Sequence, residues 1–166
     1  GEISEVAKLF RDGSTVVEGD FLFSIEDTEY IDNLSIAETD VRDAESDLVN
    51  AKTLFELSKL DLKAAEKEKN IRLASFKRQE KLKSNGVISE TLFEQSSLSL
   101  TNAEKLLIAK KNAVVQAENK IFKAEVLLER REVAYDLAKR QLADTKFFAP
   151  FSGVLDQVNA VPGRRI

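Results

Sequence analysis

The side chains on offer for chemistry are 25 Lys and Arg, 29 Asp and Glu, and hydroxyls, with no His, Cys or Met. The usual general base, the thiol nucleophile and every soft metal ligand are therefore missing, so no catalytic residue, cofactor or metal site is expected. The carboxylates fall on charged helix faces such as Glu66-Lys67-Glu68-Lys69, where pairing between residues four apart is the ordinary use of such charges. What remains is recognition chemistry, and it gathers in residues 77–95, KRQEKLKSNGVISETLFEQ. Arg78 offers several fixed donors suited to carbonyls and other acceptors, Leu82 offers apolar area beside it, and Ser89 offers a hydroxyl. Each also has an ordinary structural job, Arg78 as a solvated helix charge, Leu82 as a last seam residue, and Ser89 as a helix cap.

This stretch reads as a turn between two helices. Lys81 and Lys83 put positive charge in a last helical turn, and Asn85-Gly86 follows where the chain needs a positive φ. Ser89 is a good N-cap for a second helix, Glu90 adds negative charge to its first turn, and Ile88 is placed to staple onto Phe93.

Two long helical arms must position that turn. Leu34, Val41, Leu48, Phe55 and Leu62 recur every seven residues, with Ala37, Ala44, Ala51, Ser58 and Ala65 three residues after each. The phase fails at Lys69 and Arg72, and apolar residues resume in a shifted frame at Leu73 and Phe76, as a stutter would make them. Beyond the turn, Phe93, Leu100, Leu107, Val114, Ile121, Leu128, Tyr135 and Leu142 hold one heptad position. Ala103, Ala117, Ala124 and Ala138 hold its companion, with Lys110 and Arg131 as exceptions. Leu34 and Leu142 each lie 54 residues from Ile88, so the arms are expected to fold back as an antiparallel two-helix coiled coil, Ala opposite bulky residues, in an unspecified register. About 50 residues per arm, at 1.5 Å each, project roughly 75 Å.

Both ends of the chain read as β structure. Residues 1–30 are punctuated by Asp12-Gly13 and Glu18-Gly19-Asp20 with alternation around Val16, Phe21 and Phe23, and the last twenty residues share the style through Pro150, Gly153, Pro162 and Gly163. The fold expected is α+β: a long antiparallel helical hairpin (32–146, tip at about 83–89) inserted between the halves of a small β domain (1–31 and 147–166). The chain starts and stops inside strand-like patterns and so reads as a piece of something longer. A formal charge of −4 without a basic block argues against nucleic acid as a partner, and no apolar run approaches the roughly 20 residues that span a bilayer, so this segment is not expected to insert into a membrane.

The segment DGSTVVEGDFLFSIED (12–27) looks like half of a biotinyl or lipoyl carrier domain, yet no Lys occurs between Lys8 and Lys52 to carry the group. Together with APFSGVLDQVNAVPG (149–163), the long hairpin between them and the R-x3-L-x6-S spacing of Arg78, Leu82 and Ser89, it resembles the periplasmic adaptor, or membrane fusion, proteins of Gram-negative tripartite efflux and secretion systems, resistance-nodulation-division type. The resemblance covers essentially the whole chain. It implies a lipoyl-like β domain without the modified Lys and a hairpin tip that docks on an outer-membrane channel. Arg78 and Leu82 would make contacts from the last turn, and Ser89 one at the start of the second arm. It also implies an inner-membrane transporter as partner, a homo-oligomeric ring in the assembled pump, and a periplasmic location. Tethering to the inner membrane would fall to a part absent from this chain, as are the family's β-barrel and membrane-proximal domains. Ile36, Leu57 and Leu60, apolar but off the seam, are expected to pack laterally against neighbouring hairpins. The alternatives are a coiled-coil scaffold without a channel partner and, third, a carrier-domain enzyme subunit.

Overall fold

The computed structural model describes residues 1–158 and 160–164. Asn159 of the second β motif and the strand-like end at Ile166 lie outside them. Between Gly19 and Gly86, and again from there to Pro150, the sequence has no Gly or Pro, so nothing interrupts helix over either span. Helix α1 runs Thr28–Ser84 and α2 runs Glu90–Ala143. Asp27 opens α1, its carbonyl accepting the Ile31 N–H at 2.9 Å. Three short strands precede the helices, β1 (Ile3–Val6), β2 (Thr15–Val16) and β3 (Phe21–Ile25), and two follow, β4 (Lys146–Phe148) and β5 (Gly153–Val154). The α+β architecture expected from the sequence, helices inserted between two β pieces, is the one observed.

Contacts divide the chain into two compact units, residues 1–44 with 128–166, and residues 45–127. In the first, the β pieces from the two ends complete each other. A three-stranded antiparallel sheet has the order β1-β3-β4, and β2 pairs with β5. Backbone bonds reinforce the join: Gly19 N–H donates to Ala149 O at 2.9 Å, Ala149 N–H to Asp20 O at 2.8 Å, and Ile25 N–H to Thr145 O at 2.9 Å. Phe23 stacks on Phe147 with centroids 4.4 Å apart, and Phe21 meets Phe148 edge-on at 5.8 Å, so side chains far apart in sequence form cross-strand pairs. Irregularities in register between Ile3 and Glu5 and between Phe21 and Phe23 fit this small, bent sheet. Thr145, just beyond α2, is fully buried and donates its hydroxyl to Leu142 O at 2.6 Å.

In both units the helices meet through their small residues. Ala44 and Ala138 in the first, and Ala51, Ala65, Ala103 and Ala117 in the second, are buried, whereas Leu48, Phe55, Leu62, Leu107 and Ile121 are half-buried. Two helices alone cannot cover a large side chain on all sides; an Ala on the facing line is covered by the partner backbone, and its size lets the helices approach closely.

Each unit also carries a cross-helix ion pair that explains an exception in the heptads. Arg131 pairs with Asp40 at 2.7 Å in the first, and Lys110 with Asp61 at 2.5 Å in the second. From Asp40 to Asp61 and from Arg131 back to Lys110 is 21 residues, three heptads on each helix, so the pairs share one register. That register is centred between Asn85 and Gly86. The sequence count about Ile88 leaves the register open, because heptads repeat and the ends of two runs do not say which layers face each other, whereas charges at unique seam positions do. Because both Lys110 and Asp61 are partly exposed, alanine replacement of each and of both should give a coupling energy of only ~0.5 kcal/mol in urea denaturation. Exchanging the two charges should restore most of it.

The stutter is more local than the sequence reading has it. Leu73 is half-buried where Arg72 turns outward, but Lys69, Phe76 and Lys83 remain half-buried at the heptad position of Phe55 and Leu62. Polar residues on an unbroken frame account for most of the apparent phase change.

Candidate docking site at the helix turn

Five residues, 85–89, separate the helices, and the end of α1 is closed by a paired backbone motif. Val87 N–H donates to Leu82 O and Gly86 N–H to Lys83 O, both at 2.9 Å, with Gly86 at φ 72°. This satisfies carbonyls that a helix end otherwise leaves open, and it needs the left-handed conformation that glycine adopts without strain. On the other side, Leu92 N–H donates to Ser89 Oγ at 3.4 Å, a long N-cap bond, and Ile88 is half-buried. Lys83 bridges the turn: its ammonium lies 2.7 Å from Glu90 Oε1 and 4.2 Å over the Phe93 ring, and Phe93 packs on Phe76 with centroids 5.3 Å apart.

With the turn held this way, Arg78 and Leu82 come together. They line a depression of about 240 Å³ with Lys81 and Asn85. Residues 78, 81 and 82 stand three and four apart, which places them on one face of α1, and Asn85 follows just past its end. Arg78 is exposed, Leu82 is 38% exposed, and among the described residues neither Arg78 nor Lys81 enters an ion pair, in contrast to Lys83. The face therefore presents two cations and an apolar side chain next to a helix end, chemistry suited to carbonyl or carboxylate acceptors flanked by apolar area. Ser89 is exposed at the start of α2 and does not line this depression; its hydroxyl is occupied as a cap.

Sequence reasoning named Arg78 and Leu82 but gave Lys81 and Asn85 only structural roles. Their spacing from Arg78 was the signal that groups them. The three off-seam residues Ile36, Leu57 and Leu60 are exposed, at 61%, 54% and 64%. Among the described residues, no cluster of three or more His, Cys, Asp or Glu is arranged to hold a metal, and no helix is long and apolar enough to cross a membrane.

No protein-family model matches the chain, and no curated protein matches it. Solved structures do. The crystal structure of MacA from Actinobacillus actinomycetemcomitans matches at 20% identity and a TM-score of 0.52, over 100% of this chain and 42% of that one. The periplasmic adaptor protein EmrA matches at 16% identity and a TM-score of 0.45, over 99% of this chain and 67% of its own. The membrane fusion protein Spr0693 from Streptococcus pneumoniae R6 matches at 15% identity and a TM-score of 0.37, over 97% of this chain and 47% of its own. This chain thus spans less than half the length of the MacA chain, and what it shares with that part of MacA is the fold.

Proposed function

We propose that the chain is the hairpin and lipoyl-like portion of a periplasmic adaptor in a tripartite efflux or secretion system, of the resistance-nodulation-division type that the sequence resembles. In this reading residues 1–31 and 147–166 form the lipoyl-like domain and 32–146 the hairpin. The turn docks on an outer-membrane channel, and the longer protein, tethered to the inner membrane outside this segment, engages an inner-membrane transporter. The role is structural, with no bond made or broken. The observation that carries it is the exposed surface of Arg78, Lys81, Leu82 and Asn85 at the helix turn, cationic and apolar with no ion pair among the described residues. Ser89 contributes at the edge while capping α2. The exposed Ile36, Leu57 and Leu60 supply apolar area for side-by-side packing of hairpins in a homo-oligomeric ring.

A photoreactive side chain placed singly at Leu82 and at Leu60, in the full-length protein in cells, tests both surfaces. The Leu82 probe should give an adduct with an outer-membrane channel, and the Leu60 probe an adduct between copies of the adaptor. Adducts from Leu60 alone would instead support a coiled-coil scaffold, and the docking assignment would fall.

A further inference from the structure

Near the turn, the seam position that holds Ala elsewhere becomes polar. In α1 it passes from Ala51, Ser58 and Ala65 to Arg72 and Gln79, and in α2 it is Ser96 where Ala103 and Ala117 stand farther on. Arg72, Gln79 and Ser96, with Ser75, Leu92, Gln95 and Ser99, line a cleft of about 270 Å³. Within it Gln79 Oε1 and Ser96 Oγ are both buried from solvent and have no hydrogen-bond partner among the described residues. A buried polar atom left unpaired costs stability that an Ala methyl in the same place would not, and the cost is relieved when the helices part and water reaches it.

We infer that residues 72–99 form a separately opening unit, in which the two helices part near the turn while the Ala-lined seam of 45–65 and 103–127 stays closed. Local opening of this kind follows low apolar burial and unpaired polar groups. The Phe76–Phe93 contact and the Lys83–Glu90 pair hold the closed form, so opening is an excursion and not the resting state. The inference is independent of any channel, since it concerns only the isolated chain.

Hydrogen exchange on the full-length protein, with no channel present, tests it. Peptides within 72–84 and 90–99 should exchange about tenfold or more faster than those within 45–65 and 103–121. The double variant Gln79→Leu, Ser96→Ala should slow the first set by about tenfold and leave the second unchanged. Ser96→Ala alone, which removes one unpaired hydroxyl without adding volume, should slow the same peptides by a smaller factor. Simple fraying from the turn would leave exchange in 72–99 unaltered by either variant, and that result would overturn the inference.

Discussion

If the turn docks on an outer-membrane channel as proposed, replacing Arg78 with Asp while leaving Ser89 intact is expected to cut channel capture by about thirtyfold or more and to restore susceptibility in cells that depend on the proposed efflux role. The size follows from removing one partner of a charged hydrogen bond at a docked interface, about 2–5 kcal/mol, combined with a carboxylate facing the acceptors that a guanidinium suits. The fold should not share in the loss. Arg78 is exposed and forms no ion pair among the described residues, so the melting curve should move by no more than ~0.5 kcal/mol equivalent. Arg78→Lys separates charge from geometry: it keeps the cation and loses the planar fork, and should bind between wild type and Arg78→Asp. Measuring crosslinking yield and susceptibility together shows whether the turn is the working surface. Normal crosslinking with normal efflux in Arg78→Asp would remove the docking role from this face.

The helices were legible in the sequence because burial in a two-helix seam imposes a period that composition cannot hide. Leu34 to Leu62 and Phe93 to Leu142 show it without reference to anything else. What the period does not contain is pairing. Lys110 and Arg131 looked like flaws in the second run because their partners, Asp61 and Asp40, lie 49 and 91 residues away on the other helix. The same limit applies to the sheet, where alternation marks Phe23 as a strand residue but its pairing with Phe147 appears only when β3 and β4 stand side by side. At the turn the opposite happened. Capping accounts for Lys81 and Asn85, yet the spacing of Lys81 and Leu82 from Arg78 also puts those three on one helix face. Gln79 and Ser96 were invisible for a different reason, since a polar residue in a helix is ordinary until its partner helix buries it.

If close approach through small residues is what joins the helices, enlarging one of those residues must cost more than changing a larger neighbour. Ala117 is 6% exposed and lies one heptad beyond Lys110, so the register given by the Lys110–Asp61 pair sets it against the turn of α1 that carries Leu54 and Phe55. Ala117→Leu adds volume where the facing backbone leaves none, and should lose about 1–3 kcal/mol through strained rotamers and a wider helix spacing. For a chain of this size that lowers Tm by roughly 2–4 °C per kcal/mol. Val115, two residues earlier on the same helix, is 54% exposed, and Val115→Leu should change stability by less than ~0.5 kcal/mol. Neither variant changes charge, and helix propensity, slightly lost in Ala117→Leu and slightly gained in Val115→Leu, accounts for only about 0.5 kcal/mol of the difference between them. Thermal denaturation of the pair followed by circular dichroism reads it directly. Should Ala117→Leu melt with Val115→Leu, the seam has room to spare, and the Ala residues would be there for helix propensity and not for packing.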